Sequence, residues 1–142
     1  MTQANEAATH RLLAVEDDAD CSDLIVRTAV RCGYAVRASM DAESLRETIQ
    51  EWRPHVITLD LCLPNIDGME VISLIKESAF AGQLIIVSGQ AEWIRDLTSG
   101  IASESGLKVP AHMSKPVDLR HLGELLMGIR AASLATLATG ER

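Results

Sequence analysis

The chain has few aromatic residues and few cysteines. One Phe, one Tyr and two Trp occur in 142 residues, so aliphatic side chains must supply the core. The three cysteines, Cys21, Cys32 and Cys62, lack the close spacing of a zinc or redox motif, which predicts reduced thiols. The length is nevertheless sufficient for one domain with a sizeable core that needs no disulfide.

A surplus of positive charge and a long apolar run are also missing. The net charge of −7 at pH 7 and the isoelectric point near 5.0 argue against direct binding to nucleic acid or to anionic lipid. No segment approaches the ~20 apolar residues of a membrane span, and residues 1–10 have no apolar signal-peptide core. We therefore expect a cytoplasmic protein without membrane insertion.

Short apolar runs alternate with segments of helical periodicity. Runs at 12–15, 56–59 and 84–87 are typical of strands covered on both faces. Two weaker strands are expected at 34–38, after a helix-ending glycine, and at 109–113. Pro110 in the second cannot donate a ladder hydrogen bond, which predicts a sheet edge.

Five segments space their apolar residues as amphipathic helices do. The stripes are Leu24, Ile25, Thr28, Ala29 and Cys32; Ala42, Leu45, Ile49 and Trp52; Val71, Ile72 and Ile75; Ile94, Leu97 and Ile101; and Leu119, Leu122, Leu126 and Ile129. Strand followed by helix, five times over, predicts an α/β fold with a five-stranded, doubly wound parallel sheet and five helices.

Chemically active residues follow the predicted strands. The ends carry Glu16-Asp17-Asp18, then Asp60, then Ser88-Gly89, and last Lys115-Pro116. Ligands of such sheets bind at the carboxyl ends of the strands. A few carboxylates suit a Mg²⁺ ion that also binds a phosphate oxygen. Each residue taken alone has an ordinary alternative: Asp18, Asp20 and Asp67 as helix caps, Ser88 as a turn residue, Lys115 as a surface charge.

As a set, these motifs resemble those of the response-regulator receiver family. The set includes two longer segments, Asp60-Leu61-Cys62-Leu63-Pro64-Asn65-Ile66-Asp67-Gly68 and Ser114-Lys115-Pro116. The similarity runs over 11–129 and implies a flavodoxin-like sheet with strand order 2-1-3-4-5. We accordingly divide the chain into an N-terminal extension at 1–10, a receiver domain at 11–130, and a C-terminal segment at 131–142 that either extends the last helix or frays, with fraying preferred.

The resemblance also implies a role for each site residue. Asp60 would be the phosphoacceptor, and Mg²⁺ would be held by Asp17, Asp60 and the backbone carbonyl of Cys62, with Glu16 acting through water. Lys115 would contact a phosphoryl oxygen and Ser88 would hydrogen-bond the phosphoryl group. His112 stands where the family usually has a Tyr or Phe switch residue. It either replaces that switch, confers pH sensitivity, or only packs at the edge strand; simple packing or surface exposure is preferred.

The implied function is that of a single-domain response regulator. A histidine kinase or phosphotransfer protein would donate the phosphoryl group, and a downstream protein partner would read the result. Such a protein is not an enzyme beyond its own phosphorylation and dephosphorylation. Two alternatives are a degenerate receiver that binds partners without phosphorylation, and a haloacid-dehalogenase-like phosphohydrolase. The second needs an aspartate two residues after the nucleophile, where this chain has Cys62.

Overall fold

The computed structural model describes residues 10–89 and 91–139; most of the predicted N-terminal extension and residues 140–142 lie outside them. Strands and helices alternate along the described chain as the sequence predicts. They are β1 (Arg11–Val15), α1 (Ala19–Arg31), β2 (Ala35–Ser39), α2 (Leu45–Trp52), β3 (Val56–Leu59), α3 (Gly68–Glu77), β4 (Gln83–Ser88), α4 (Glu92–Glu104), β5 (Lys108–Ser114) and α5 (Leu119–Thr139).

The five strands form one parallel sheet in the order β2-β1-β3-β4-β5. Both the fold class and the strand order are confirmed. β5 lies at an edge, as Pro110 predicts, and its register against β4 shifts between Gln83 and Ile85. The shift falls opposite Val109 and Pro110, so the strand bulges where proline has no N–H to donate.

Helices cover both faces of the sheet over two separate cores. Successive residues of β1 point to opposite faces, so that Leu13 joins the core beneath α2 and α3 while Leu12 joins the core beneath α1 and α5. Both side chains are at most 1% exposed. The continuously apolar strands are thus explained by coverage on both sides.

Helix boundaries follow from local chemistry. The Asp18 carboxylate accepts hydrogen bonds from the N–H groups of Asp20 and Cys21 at the start of α1, and Asp67 forms a capping box with Glu70 at the start of α3. Both predicted caps are confirmed, whereas Asp20 lies inside the first turn. Gly33 follows α1 with φ of +92°, a left-handed backbone that glycine adopts without strain.

Three details differ from the expected helices. Leu24 is 47% and Ile101 38% exposed, because the buried face of each helix is narrower than the apolar stripe and both residues lie at its border. Ala42 precedes α2, which begins only at Leu45. The side chain of Leu97 lies outside the described part of the chain.

The last helix is longer than expected. α5 continues to Thr139, so the preference for fraying after residue 130 was wrong for 131–139. The segment is rich in alanine and leucine, which favour helix, and it prolongs a helix that is already packed on the sheet through Leu122 and Leu126. Within the described ranges, no helix combines the length and hydrophobicity needed to cross a membrane.

Candidate functional site

The predicted site residues meet at the carboxyl edge of the sheet. The Asp60 N–H donates to the Val15 carbonyl oxygen at 2.9 Å, which continues the β1–β3 ladder past the ends of both strands. On the other side the Lys115 N–H donates to the Ser88 carbonyl oxygen at 3.2 Å, just after the Ser88–Ser114 pair of β4 and β5. Backbone pairing therefore brings together residues that are far apart in sequence.

Lys115 joins the two buried carboxylates of the site. Its Nζ lies 2.7 Å from Glu16 Oε2 and 3.1 Å from Asp60 Oδ2. The two carboxylic side chains are only 1% and 2% exposed, and buried charges need such partners. The peptide bond between Lys115 and Pro116 is cis, an isomer that the sequence alone left open.

The Asp60 carboxylate is held at both oxygens. Its Oδ1 accepts a hydrogen bond from the Cys62 N–H at 2.9 Å, while Oδ2 faces Lys115. Burial by itself raises the pKa of Asp60, but the Cys62 N–H, a hydrogen bond with Glu16, and Lys115 together outweigh it and hold the pKa below its usual value. Asp60 is thus kept ionised.

The ionised form of Glu16 is less well stabilised than that of Asp60. Burial raises the pKa of its carboxyl above the ordinary value and the Asp60 carboxylate adds to the rise, although Lys115 and the Asp18 N–H oppose it. For Lys115, burial lowers the pKa, but the contacts with Glu16 and Asp60 prevail and raise it. One ammonium group serves two carboxylates, so the site is short of positive charge.

The arrangement fits a divalent cation. Oxygen atoms of Glu16, Asp17 and Asp60 lie within 4.8 Å of one another, and Asp17 is exposed to solvent at the rim. Glu16 Oε1 is buried without a hydrogen-bond partner, although buried oxygens are nearly always satisfied. A hydrated cation would satisfy this oxygen and supply the missing charge, and oxygen ligands of this kind suit Mg²⁺.

The two predicted switch residues differ in their surroundings. Ser88 is fully buried at the end of β4. His112 lies two strand residues before Ser114 on β5, where its Nε2 is 2.9 Å from Asp96 Oδ1 of α4 and its side chain is 30% exposed. Its Nδ1 is buried without a partner among the described residues. Besides the expected packing or surface exposure, His112 therefore joins β5 to α4.

Two features escaped the sequence. Asp96 had no predicted role, since nothing in a helical stripe indicates a partner on a neighbouring strand. The second is the Cys62 N–H, which binds the phosphoacceptor candidate; the sequence singled out only the carbonyl of that residue. Cys62 itself is exposed.

The chain resembles known proteins along most of its length. The family model of the response regulator receiver domain matches residues 12–126. Nitrogen assimilation regulatory protein NtrX of Azorhizobium caulinodans is 32% identical over 82 residues, which are 56% of this chain and 18% of that protein. Transcriptional regulatory protein TrcR of Mycobacterium tuberculosis is 24% identical over 119 residues, 84% of this chain and 44% of that protein.

The chain therefore spans less than half the length of these two relatives. Among solved structures, the CheY-like response regulator receiver domain protein from Methanospirillum hungatei JF-1 has a TM-score of 0.71 at 25% identity, with 84% of this chain and 91% of that chain covered. The family match includes Asp17, Asp60 and Lys115, whose side chains meet in the structure. On this evidence the chain belongs to the response regulator receiver domain family.

Proposed function

We propose that Asp60 accepts a phosphoryl group from a histidine kinase or phosphotransfer protein, and that the chain signals through protein–protein contacts. The observation that carries the proposal is the buried Asp60 carboxylate, fixed between the Cys62 N–H and Lys115 beside two further acids. A pKa below the usual value keeps Asp60 ionised, as a carboxylate nucleophile must be.

Magnesium belongs to this proposal. Asp17, Asp60 and the backbone carbonyl of Cys62 would hold the ion, and Glu16 would reach it through water. Bound there, Mg²⁺ would neutralise charge on the phosphoryl oxygens.

The chain's own residues position the transfer. A carboxylate oxygen of Asp60 would attack phosphorus while the bond from phosphorus to the donor's histidine nitrogen breaks, which leaves an acyl phosphate on Asp60. Lys115, already 3.1 Å from Asp60 Oδ2, would bind a phosphoryl oxygen. Phosphoryl transfer requires little more from a protein than such positioning and charge.

We place the output of the switch, the surface change that a partner protein would recognise, in the β4–α4–β5 region. The Ser88 hydroxyl would hydrogen-bond the arriving phosphoryl group, and His112 would pass the change to α4 through its contact with Asp96. For the domain that the structure describes, we propose a cytoplasmic location, no enzymatic activity beyond its own phosphorylation chemistry, and a protein rather than nucleic acid as its direct partner.

The test is the intact mass of the chain after incubation with Mg²⁺ and acetyl phosphate. The native protein should gain one phosphoryl adduct, and Asp60→Asn should gain none. Asp67→Asn is the matched control, because Asp67 is an exposed cap of α3 and its loss should leave the adduct intact. A native chain without adduct would favour the degenerate receiver, and sustained release of phosphate would favour the hydrolase.

A further inference from the structure

A cavity lies at the end of the sheet opposite to Asp60. A trough of about 1250 Å³ runs along the amino-terminal edge of the sheet. The starts of β1, β4 and β5 lie along it, the loops after α2 and α3 close one side, and α5 closes the other. We call it the basal trough. No residue of the acidic site borders it.

The basal trough is cationic in a chain whose net charge is −7. Its lining includes Arg11, Arg53 and Lys108, and the one acid among the described lining residues is Glu124. Arg53 and Lys108 form no ion pair with any residue the structure describes, whereas Glu124 is engaged by Arg120. Among the described residues, the charges of Arg53 and Lys108 are therefore not balanced by an acid of the trough wall.

Two stacked imidazoles also line the basal trough. His10 and His55 stack at 4.3 Å between ring centroids. His55 Nδ1 accepts a hydrogen bond from the Arg11 N–H, so the proton of the neutral ring is on Nε2. Burial, His10 and Arg11 lower the pKa of His55 to about 4; for His10, burial, Arg130 and Arg11 lower the pKa. Every charged neighbour named here is basic.

The walls also offer apolar surface and room. Ile49, Phe80, Leu125 and Ile129 line the trough, and the α5 side includes Gly128 and Ala132. A Cβ atom at Gly128 would meet none of the described atoms within 4 Å, so there is room at this position. Sites for small molecules are typically about 300–1,000 Å³, mostly apolar, with a few polar groups that fix orientation. The basal trough is large enough and has both kinds of surface.

We propose that the basal trough binds a small organic phosphate, with the phosphate held by the Arg53 and Lys108 side chains and the organic part against Phe80 and Ile129. Guanidinium and ammonium groups are the usual protein ligands of phosphate. Such a ligand would give the uncompensated cations a partner. This site is independent of the phosphorylation proposed for Asp60.

An NMR titration of the full chain tests the proposal, with AMP as the probe and adenosine as its uncharged counterpart. Mg²⁺ is left out, so that a phosphate has no metal to bind at the acidic end. AMP should shift the amide signals of trough residues saturably, and adenosine should bind at least tenfold more weakly. Absence of saturable AMP shifts, equal binding of adenosine, or shifts confined to the Asp60 end would overturn it.

Three variants locate the site. Lys108→Glu should weaken AMP binding about tenfold or more, since an opposed charge replaces an attractive one. Arg53→Asn should weaken it less, and asparagine accepts the positive φ of 53° at this position. Arg27→Glu makes the same charge reversal at an exposed residue of α1 that does not line the trough, and it should leave the affinity within twofold. Equal affinity of Lys108→Glu and the native chain would refute the assignment.

Discussion

At the scale of single residues, the acidic site is defined by a charge imbalance. Glu16 and Asp60 are buried and share Lys115, while Asp17 stays at the solvent edge. A buried carboxylate is stable only with adequate partners, and Glu16 Oε1 has none among the described atoms. The site should therefore be stabilised by a cation that its residues can ligate.

Excess Mg²⁺ should raise the melting temperature of the native chain by about 5 °C, because a ligand that binds only the folded state stabilises it. In Asp17→Asn most of that rise should disappear. The control is Asp20→Asn, an exposed acid in the first turn of α1, which should respond to Mg²⁺ as the native chain does. Differential scanning calorimetry measures all three, and an undiminished response in Asp17→Asn would contradict the metal assignment.

Gly82 is required because the backbone at this position lies close to the His55 carbonyl group. A Cβ atom on Gly82 would clash with the His55 carbonyl oxygen, and no side-chain rotation relieves a clash with backbone. Gly82→Ala should therefore lower the free energy of unfolding by about 3 kcal/mol. Gly100→Ala is the control: its Cβ would meet nothing within 4 Å inside α4, so that it should stabilise the chain by up to about 1 kcal/mol. Urea unfolding separates the two outcomes.

At the scale of secondary-structure elements, α4 and β5 are joined by a pair of side chains. His112 and Asp96 meet at 2.9 Å with side-chain exposures of 30% and 57%. A side-chain contact this exposed contributes about 0.2–1 kcal/mol. That free energy can shift the populations of two surface conformations by a small factor, but it is too small to hold the surface in one of them.

We expect the His112–Asp96 contact to favour the unphosphorylated arrangement. Asp96→Asn should then raise the affinity for beryllofluoride with Mg²⁺, a stand-in for the phosphoryl group, about two- to fivefold. Asp23→Asn breaks another exposed pair, Arg27–Asp23 on α1, and should leave the affinity unchanged. NMR titration gives both constants; an equal or lower affinity of Asp96→Asn would refute the expected role.

At the scale of the whole molecule, the two ends of the sheet carry opposite charge. The carboxyl edge gathers Glu16, Asp17 and Asp60, and the amino edge gathers Arg11, Arg53 and Lys108. Because all strands of a parallel sheet run in one direction, residues that follow strands gather at one edge and residues that precede strands gather at the other. One edge can therefore bind a cation and the other an anion without direct contact between the sites.

At the basic edge, His55 should make the free energy of unfolding decrease in weak acid. The folded pKa of His55, about 4, lies below its ordinary value of 6.5, so the unfolded chain binds the proton more tightly. The stabilisation is complete above about pH 6.5 and is lost as pH falls toward 4. After discounting for partial exposure, the loss should be about 1–2 kcal/mol.

Urea unfolding at pH values near 7 and near 5 measures this loss. His55→Asn keeps an acceptor for the Arg11 N–H but cannot be protonated in this range, so its stability should decline less between the two conditions. Acidic residues titrate in both chains and cancel in the comparison. An identical decline would show that His55 does not contribute.

The sequence by itself determined the elements and the edge where chemistry gathers. Apolar runs located the central strands, Pro110 placed β5 at an edge, and Asp18 and Asp67 marked helix starts, because these signals act over one or two turns of chain. The acidic cluster was predictable for one further reason: residues that follow parallel strands must meet at a common edge.

Only the tertiary structure decided which side chains meet and which surfaces stay open. Lys115 pairs with Glu16 across 99 positions of sequence, and His112 finds Asp96 on a different element. The exposure of Leu24 and the basal trough likewise depend on how α1 and α5 pack against the sheet. Local periodicity carries no information on such distant contacts, because they arise only when separate elements are brought together in three dimensions.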